Sequence, residues 1–288
     1  MLESKYARLQ ELLRGYGSCL VAYSGGVDSV FLARVAHEVL GERSLAVIAD
    51  SPSLPRRELA EALELGRRFG FPVRVVRTAE FGDDRYRANP GNRCYFCKHA
   101  LFTELTPLAR ETGFSVILYG ENASDVGDHR PGAQAAAEFQ VRSPLKEAGL
   151  TKAEIRALSA RLGLPTADKP QLACLSSRIP TGEPVTEAKL RMIEEAEYFL
   201  RDEGFHDVRV RHHQAAGGAL ARLEIGPAEL ARLWETDRWS RVADRLTGLG
   251  YLFFTVDMAG YRRGSTNGVQ RAAAPLEFRP AAWREAPL

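Results

Sequence analysis

The sequence predicts an α/β protein: a parallel sheet with helices on both faces, followed by a smaller C-terminal α+β domain. Three observations predict it. Strand-like and helix-like segments alternate through the first half. The strands are separated by helix-length segments, which makes their sheet parallel and covers both of its faces. Beyond residue 186 the order changes to a helix, two strands, more helices and a last strand. At 288 residues the chain has room for one large or two ordinary domains, at about 150 residues each.

Each element has its own signal. The N-terminal MLESKYARLQELLRGYG reads as an amphipathic helix. Residues 19–23 form an apolar strand, and 28–40 form an apolar helix stopped by Gly41. A second strand covers 45–49. Pro55 opens the next helix, where its missing N–H costs nothing, and Gly70 closes it. Alternation over 72–77 marks a third strand, a helix covers 93–105, and FSVILY at 114–119 is a fourth strand. Thr151 and Glu154 form a capping box for a helix to Arg161. Residues 164–186 carry four prolines and Cys174 with little periodicity, which reads as a functional loop. A helix at 187–203, strands at 207–213 and 221–225, helices at 227–234 and 236–246, and a strand at 250–257 complete the pattern. The domain boundaries expected are 1–165, the loop 166–186, 187–268, and a poorly ordered tail over 269–288.

Composition excludes some classes. Hydrophobic residues make up 45% and charged residues 26%, an ordinary balance for a globular protein with a core. The net charge of +2 gives no ground for nucleic acid, since tRNA binders concentrate basic residues on one surface and here they are interleaved with acidic ones. No run reaches membrane-spanning length, and the N-terminus lacks the apolar stretch of a signal peptide. A cytoplasmic protein is expected.

Ser24-Gly25-Gly26-Val27-Asp28-Ser29 lies between the first strand and the first core helix. Two glycines allow a sharp turn, and their N–H groups can face an anion at the helix N-terminus. Ser24 and Ser29 add hydroxyl donors, and Asp28 can hold the Mg2+ that accompanies phosphates. The lysine-bearing Walker A pattern is absent. The string resembles the signature of the PP-loop (ATP pyrophosphatase) family. That resemblance implies ATP binding, transfer of AMP to a substrate oxygen, and release of pyrophosphate held by the loop. It also implies that Ser51, after the second strand, and Thr78, after the third, flank adenosine, and that Lys152 lies near the phosphates.

Four cysteines occur. Cys19 reads as a small core hydrophobe. Cys94 and Cys97 lie three apart on a predicted helix, so their sulfurs share a face. Such a pair can serve redox chemistry, half a zinc site, or two ligands of an iron–sulfur cluster. No second CxxC exists to complete a four-cysteine zinc site, so the partner is Cys174, brought over by the fold. Three thiolates can bind a cubane and leave one iron free of protein; three unrelated thiols is the alternative.

Taken together, SGGVDS, NPGNRCYFCKHALF, DHRPGAQAAAEFQVRSPL, CLSSRIPTGEPVTEAKL, VRVRHH and GYRRGSTN resemble the LarE family. Its members are ATP-dependent sulfur transferases of nickel-pincer nucleotide synthesis. The similarity spans roughly residues 5–268. It implies adenylylation of a carboxylate of pyridinium-3,5-dicarboxylate mononucleotide, replacement of oxygen by sulfur, and the same treatment of the second carboxylate. In many members one cysteine, at the position of Cys174, gives up its own sulfur and becomes dehydroalanine. Cys94 and Cys97 depart from that pattern and resemble the three-cysteine branch that carries a [4Fe–4S] cluster, with sulfide or another compound as sulfur donor. The family also implies a homo-oligomer.

A substrate with a phosphate and two carboxylates needs cations. Arg209 and Arg211 alternate on one face of a strand and can form a phosphate clamp, and Arg178 lies four residues after Cys174. Glu224, Arg262 and Arg263 are weaker candidates. Asp125, Asp128 and Arg130 follow the fourth strand at the sheet's ligand-binding edge. His212 and His213 are neighbours on a strand and point to opposite faces, which speaks against a shared metal. Three other readings compete: a tRNA thiolation enzyme, which would need a broad basic face; an amide-forming synthetase, which has no use for three cysteines; and a nucleotide sensor that binds ATP without releasing pyrophosphate.

Overall fold

A computed structural model of the chain describes residues 2–125, 131–170 and 173–261. Helix α1 (Leu2–Tyr16) leads into β1 (Cys19–Tyr23), α2 (Val27–Leu40), β2 (Ser44–Asp50), α3 (Arg56–Phe69) and β3 (Val73–Arg77). A short α4 (Asp84–Arg87), the long α5 (Arg93–Thr112), β4 (Val116–Tyr119), α6 (Pro131–Glu138), α7 (Pro144–Glu147) and α8 (Lys152–Arg161) follow. The second half holds α9 (Glu187–Asp202), β5 (Val208–Ala215), β6 (Gly218–Ile225), α10 (Arg238–Gly248) and β7 (Tyr251–Val256).

The first sheet is parallel in the order β3-β2-β1-β4. β1 is central, which is why all five of its residues are buried. On one face Cys19, Val21 and Tyr23 pack with α1, α2, α3 and α8; on the other Leu20, Ala22 and Val47 pack with α5 and α6. The Ser24–Ser29 loop, joining β1 to α2, therefore opens at the carboxyl edge of the sheet, flanked by the ends of β2 and β4. The second sheet, β5-β6-β7, is covered on one face by α9 and α10 through Ala196, Leu200, Val242 and Leu246. A further apolar cluster joins the halves: Tyr86 of α4, Leu175 and Ile179 after Cys174, and Leu190 and Ile193 of α9.

Several predicted boundaries are corrected. The helix expected over 93–105 runs on to Thr112 through Pro107; Thr103 and Thr106 return hydroxyl bonds to the carbonyls of His99 and Phe102 around it. The strands expected at 207–213 and 221–225 extend until they meet in a tight hairpin, because Gln214, Ala215, Gly218 and Ala219 continue the ladder despite their small or polar side chains. The helix expected at 227–234 is only a 3-10 turn, Leu230–Trp234. The helices α4, α6 and α7 carried too little periodicity to be foreseen. The capping box at Thr151 is present as expected, and Cys19 is buried. Among the described residues no helix is long and apolar enough to cross a membrane. The proposed tail at 269–288 lies outside the described residues.

Candidate active site

Gly25 adopts φ +72°, and a Cβ there would stand 2.9 Å from the Cβ of Ala62. Only glycine turns the loop at this point without pushing α3 away. Gly26, extended, is the N-cap of α2, so the first N–H groups of that 14-residue helix are turned to the loop. The Ser29 hydroxyl donates to the Gly26 carbonyl at 3.1 Å and lies 3.1 Å from the Ser24 hydroxyl, while the Ser24 N–H donates to it. That small network keeps the loop preformed.

Asp28 stands in the first turn of α2. Its carboxylate accepts from Lys152 Nζ at 2.5 Å and from Asn122 Nδ2 at 3.4 Å. Burial raises its pKa; Lys152 works in the opposite direction, and nearby Asp125 adds to the rise. Gly120, at the end of β4, lies so close that a Cβ would be 3.1 Å from Asp28 Cβ. Lys152 itself is fixed by the capping box at the start of α8, where its own N–H donates to Ser124. Three strand or helix ends thus converge on one carboxylate. Asp128 and Arg130 lie outside the described residues.

At the end of β2, Ser51 is buried and its hydroxyl accepts from the Ser53 N–H at 3.2 Å. Thr78, after β3, has a buried hydroxyl with no hydrogen-bond partner among the described residues. A buried hydroxyl is costly to leave unpaired, so this one fits a contact made only when a ligand is present. Both residues stand at the edge of the sheet on which the Ser24–Ser29 loop opens.

Cys174 is the N-cap of a 3-10 turn, Leu175–Arg178, which the sequence left as a plain loop. The Leu175 N–H donates to Ser53 O at 2.9 Å, so the thiol's loop is bonded directly to the turn after β2. Arg178 is 2% exposed. Its Nη1 donates to the carbonyls of Ala173 and Cys174, at 2.6 and 2.9 Å, and its Nε and Nη2 hold both oxygens of Glu197 at 2.8 and 3.0 Å. Expected near the sulfur, Arg178 does feel the Cys174 thiol and also grips the backbone carbonyls on either side of it. Burial opposes ionisation of Glu197, but Arg178 and Arg201 hold its carboxyl down to about 2.

The expected clamp residues do share a face of β5, and both are buried. Arg211 donates to Ser177 O at 3.0 Å and to Glu224 at 2.7 Å; Glu224 also pairs with Arg222 at 3.0 Å. Arg209 donates to Val208 O and stacks on Tyr261 at 4.9 Å, with burial and then Arg178 lowering its pKa. Arg262 and Arg263 lie outside the described residues. His212 packs on Tyr251, where burial brings it down to about 4, while His213 meets Arg222 on the other face.

Cys94 and Cys97 occupy the first turns of α5. Burial, then the neighbouring Cys174 thiol, pushes Cys97 up to about 12; desolvation and Cys174 raise Cys94 as well. Arg93 Nη2 lies 4.0 Å from Cys174 Sγ, and its Nη1 reaches Ser176 O and Asn89 Oδ1. Asn89 is fully buried, and its amide donates to the carbonyls of Ile179, Pro180 and Glu183. The two cysteine-bearing segments are thereby knotted together. Among the described residues no three Cys, His, Asp or Glu side chains are gathered tightly enough to hold a single metal ion.

Arg93, Asn89, Asn122 and Glu197 were not singled out in the sequence. Glu197 alone had a readable signal: it lies on the apolar stripe of α9, with Leu190, Ile193 and Leu200, where an unpaired carboxylate would not be tolerated.

No protein-family model matches the chain. An uncharacterised protein of Synechocystis sp. is 42% identical over 93% of this chain and 99% of its own length. The pyridinium-3,5-bisthiocarboxylic acid mononucleotide synthase of Lactiplantibacillus plantarum is 33% identical over 96% of this chain and 99% of its own. A tRNA-specific 2-thiouridylase of Xanthobacter autotrophicus is 30% identical over 52% of this chain and 48% of its own, and GMP synthases are among the weaker matches.

Proposed function

The chain belongs to the family of the pyridinium-3,5-bisthiocarboxylic acid mononucleotide synthases within the PP-loop superfamily, and from that premise we propose how its residues divide the reaction. It is an ATP-dependent, AMP-forming sulfur transferase. Its substrate is pyridinium-3,5-dicarboxylate mononucleotide, whose carboxylates are adenylylated and then thiolated. The observation that carries the reading is the hydrogen bond from Leu175 N–H to Ser53 O. It ties the Cys174 segment to the sheet edge on which the nucleotide loop opens.

In this reading the loop Ser24–Ser29 takes the pyrophosphate end of ATP, through N–H groups and hydroxyls. Ser51 and Thr78 flank the adenosine. Asp28 would hold the Mg2+ that neutralises phosphate charge, and Lys152, hydrogen-bonded to Asp28, offers its ammonium to the phosphates. A substrate carboxylate oxygen attacks the α-phosphorus and pyrophosphate leaves. Sulfur then attacks the acyl carbon: the C–S bond forms, the bond to AMP breaks, and AMP departs with the electron pair. Arg178 acts as a positioning residue for Cys174, and Arg209 and Arg211 receive the substrate's phosphate.

Cys94, Cys97 and Cys174 together fit a [4Fe–4S] cluster. Bound there, it would offer one iron without a protein ligand and a sulfide as nucleophile. Iron and acid-labile sulfide after anaerobic reconstitution test this: about four of each per chain are expected, and loss of both when Cys94, Cys97 and Cys174 are all replaced by Ser. An unchanged metal content in that variant rejects the cluster.

The family further implies a homo-oligomer, and the exposed Leu252, Phe253, Phe254 and Met258 support one, since such patches commonly mark contacts. Sedimentation at two concentrations separates that from a monomer. The tRNA-thiolating alternative draws on a relative that aligns with half of the chain. Pyrophosphate release that depends on the pyridinium mononucleotide supports the present reading; release that depends on bulk tRNA favours the other.

A further inference from the structure

Three buried hydroxyls from three separate segments meet beside the Cys174 loop. Ser53 follows β2, Tyr86 belongs to α4, and Ser176 lies two residues after Cys174. They are 3%, 1% and 0% exposed. Ser53 Oγ is 2.5 Å from Tyr86 Oη and 2.6 Å from Ser176 Oγ, and Tyr86 Oη is 2.8 Å from Ser176 Oγ. Each hydroxyl has one proton to give, so the triangle closes when each donates to the next. None of the three is then left wanting a partner.

The triangle stands between the two halves of the chemistry. From Ser53 the N–H reaches Ser51 Oγ, and the carbonyl accepts from Leu175. From Ser176 the chain leads directly to Cys174. Resting on the reading above, we infer that Tyr86 is a positioning residue that holds the sulfur-bearing loop on the nucleotide edge, so that the adenylylated carboxylate meets sulfur before water. The competing reaction is simple. When sulfur attacks, the products are thiocarboxylate and AMP; when water attacks, they are the original carboxylate, AMP and a proton. Pyrophosphate is released in both cases, so the ratio of thiocarboxylate to pyrophosphate reports where the loop sits.

Tyr86→Phe removes one oxygen. The ring keeps its contacts in the cluster with Phe81, Leu175, Ile179, Val185, Leu190 and Ile193, and Ser53 and Ser176 keep their bond to one another. The variant should fold, and Ser176→Ala serves as a second probe of the same triangle. Full-length enzyme is incubated anaerobically with ATP, Mg2+, hydrosulfide and the pyridinium dicarboxylate mononucleotide, and both products are counted together. Pyrophosphate release is expected to stay within about twofold, while the thiocarboxylate ratio falls by at least about tenfold, the scale of a small misplacement of reacting groups. A ratio unchanged in both variants overturns the inference, and so does a parallel fall of both products. Absence of pyrophosphate release from the unmodified enzyme is a different failure, because it rejects the substrate assignment itself.

Discussion

Replacing Asp28 by Asn removes the carboxylate on which Lys152, Asn122 and the end of β4 converge. Pyrophosphate release is expected to drop by at least about 100-fold, in the range for loss of a preorganised electrostatic group. A drop of less than threefold in steady-state assays contradicts the role given to Asp28. Glu197 makes a different prediction, because its contribution is to stability. It is buried against Arg178, so Glu197→Gln strands a buried guanidinium and costs about 3–5 kcal/mol in urea unfolding. The pH dependence follows from the sign of its shift. The folded carboxyl titrates at about 2, below its ordinary value, so its stabilisation is full above the ordinary glutamate range and is lost as pH falls from there toward 2. Thermal unfolding of the unmodified protein should show that loss, and Glu197→Gln should show less of it. At this scale the sequence was legible at Asp28 and Lys152, both expected at one loop and joined in the structure by a hydrogen bond. It was opaque for Arg178 and Arg211: periodicity can place an arginine on a face, but the partner that takes its charge comes from a distant segment.

Among the elements, the turn between β1 and α2 is the least tolerant. Gly25→Ala forces a side chain into the left-handed region and against Ala62. Expected is a loss of ATP binding of about tenfold or more with the melting temperature lowered only slightly, since a non-glycine residue at positive φ costs about 1–2 kcal/mol. Calorimetric titration with an unhydrolysable ATP analogue checks it; unaltered affinity would remove the case for a preformed loop. The strands of the first sheet were legible because β1, β2 and β4 are apolar runs and β3 alternates, bounded by glycine or proline. The hairpin between β5 and β6 was misjudged because Gln214, Ala215, Gly218 and Ala219 carry little strand preference and are held in the ladder by their partners. The length of α5 was underestimated for a related reason: Pro107 signals an end, and packing of Leu105, Leu108 and Ala109 beneath the sheet overrides it.

At the scale of the whole molecule, the second half of the chain lends the first its thiol. The Cys174 segment is bonded to the turn after β2, packed on α4, knotted to the CxxC helix through Asn89 and Arg93, tied by its own Arg178 to Glu197 of α9, and held by Arg211 from β5. None of these contacts is local in sequence, which is why the approach of Cys174 to Cys94 and Cys97 could be expected while the side chains that anchor it could not. One measurement tests the central claim, that this convergence serves ATP-driven sulfur transfer. The enzyme is incubated anaerobically with ATP, Mg2+, sulfide and pyridinium-3,5-dicarboxylate mononucleotide, and small molecules and intact protein are weighed by mass spectrometry. Thiocarboxylate exceeding the enzyme, with AMP formed and the protein mass unchanged, is the predicted result. Formation of neither AMP nor thiocarboxylate would contradict the account.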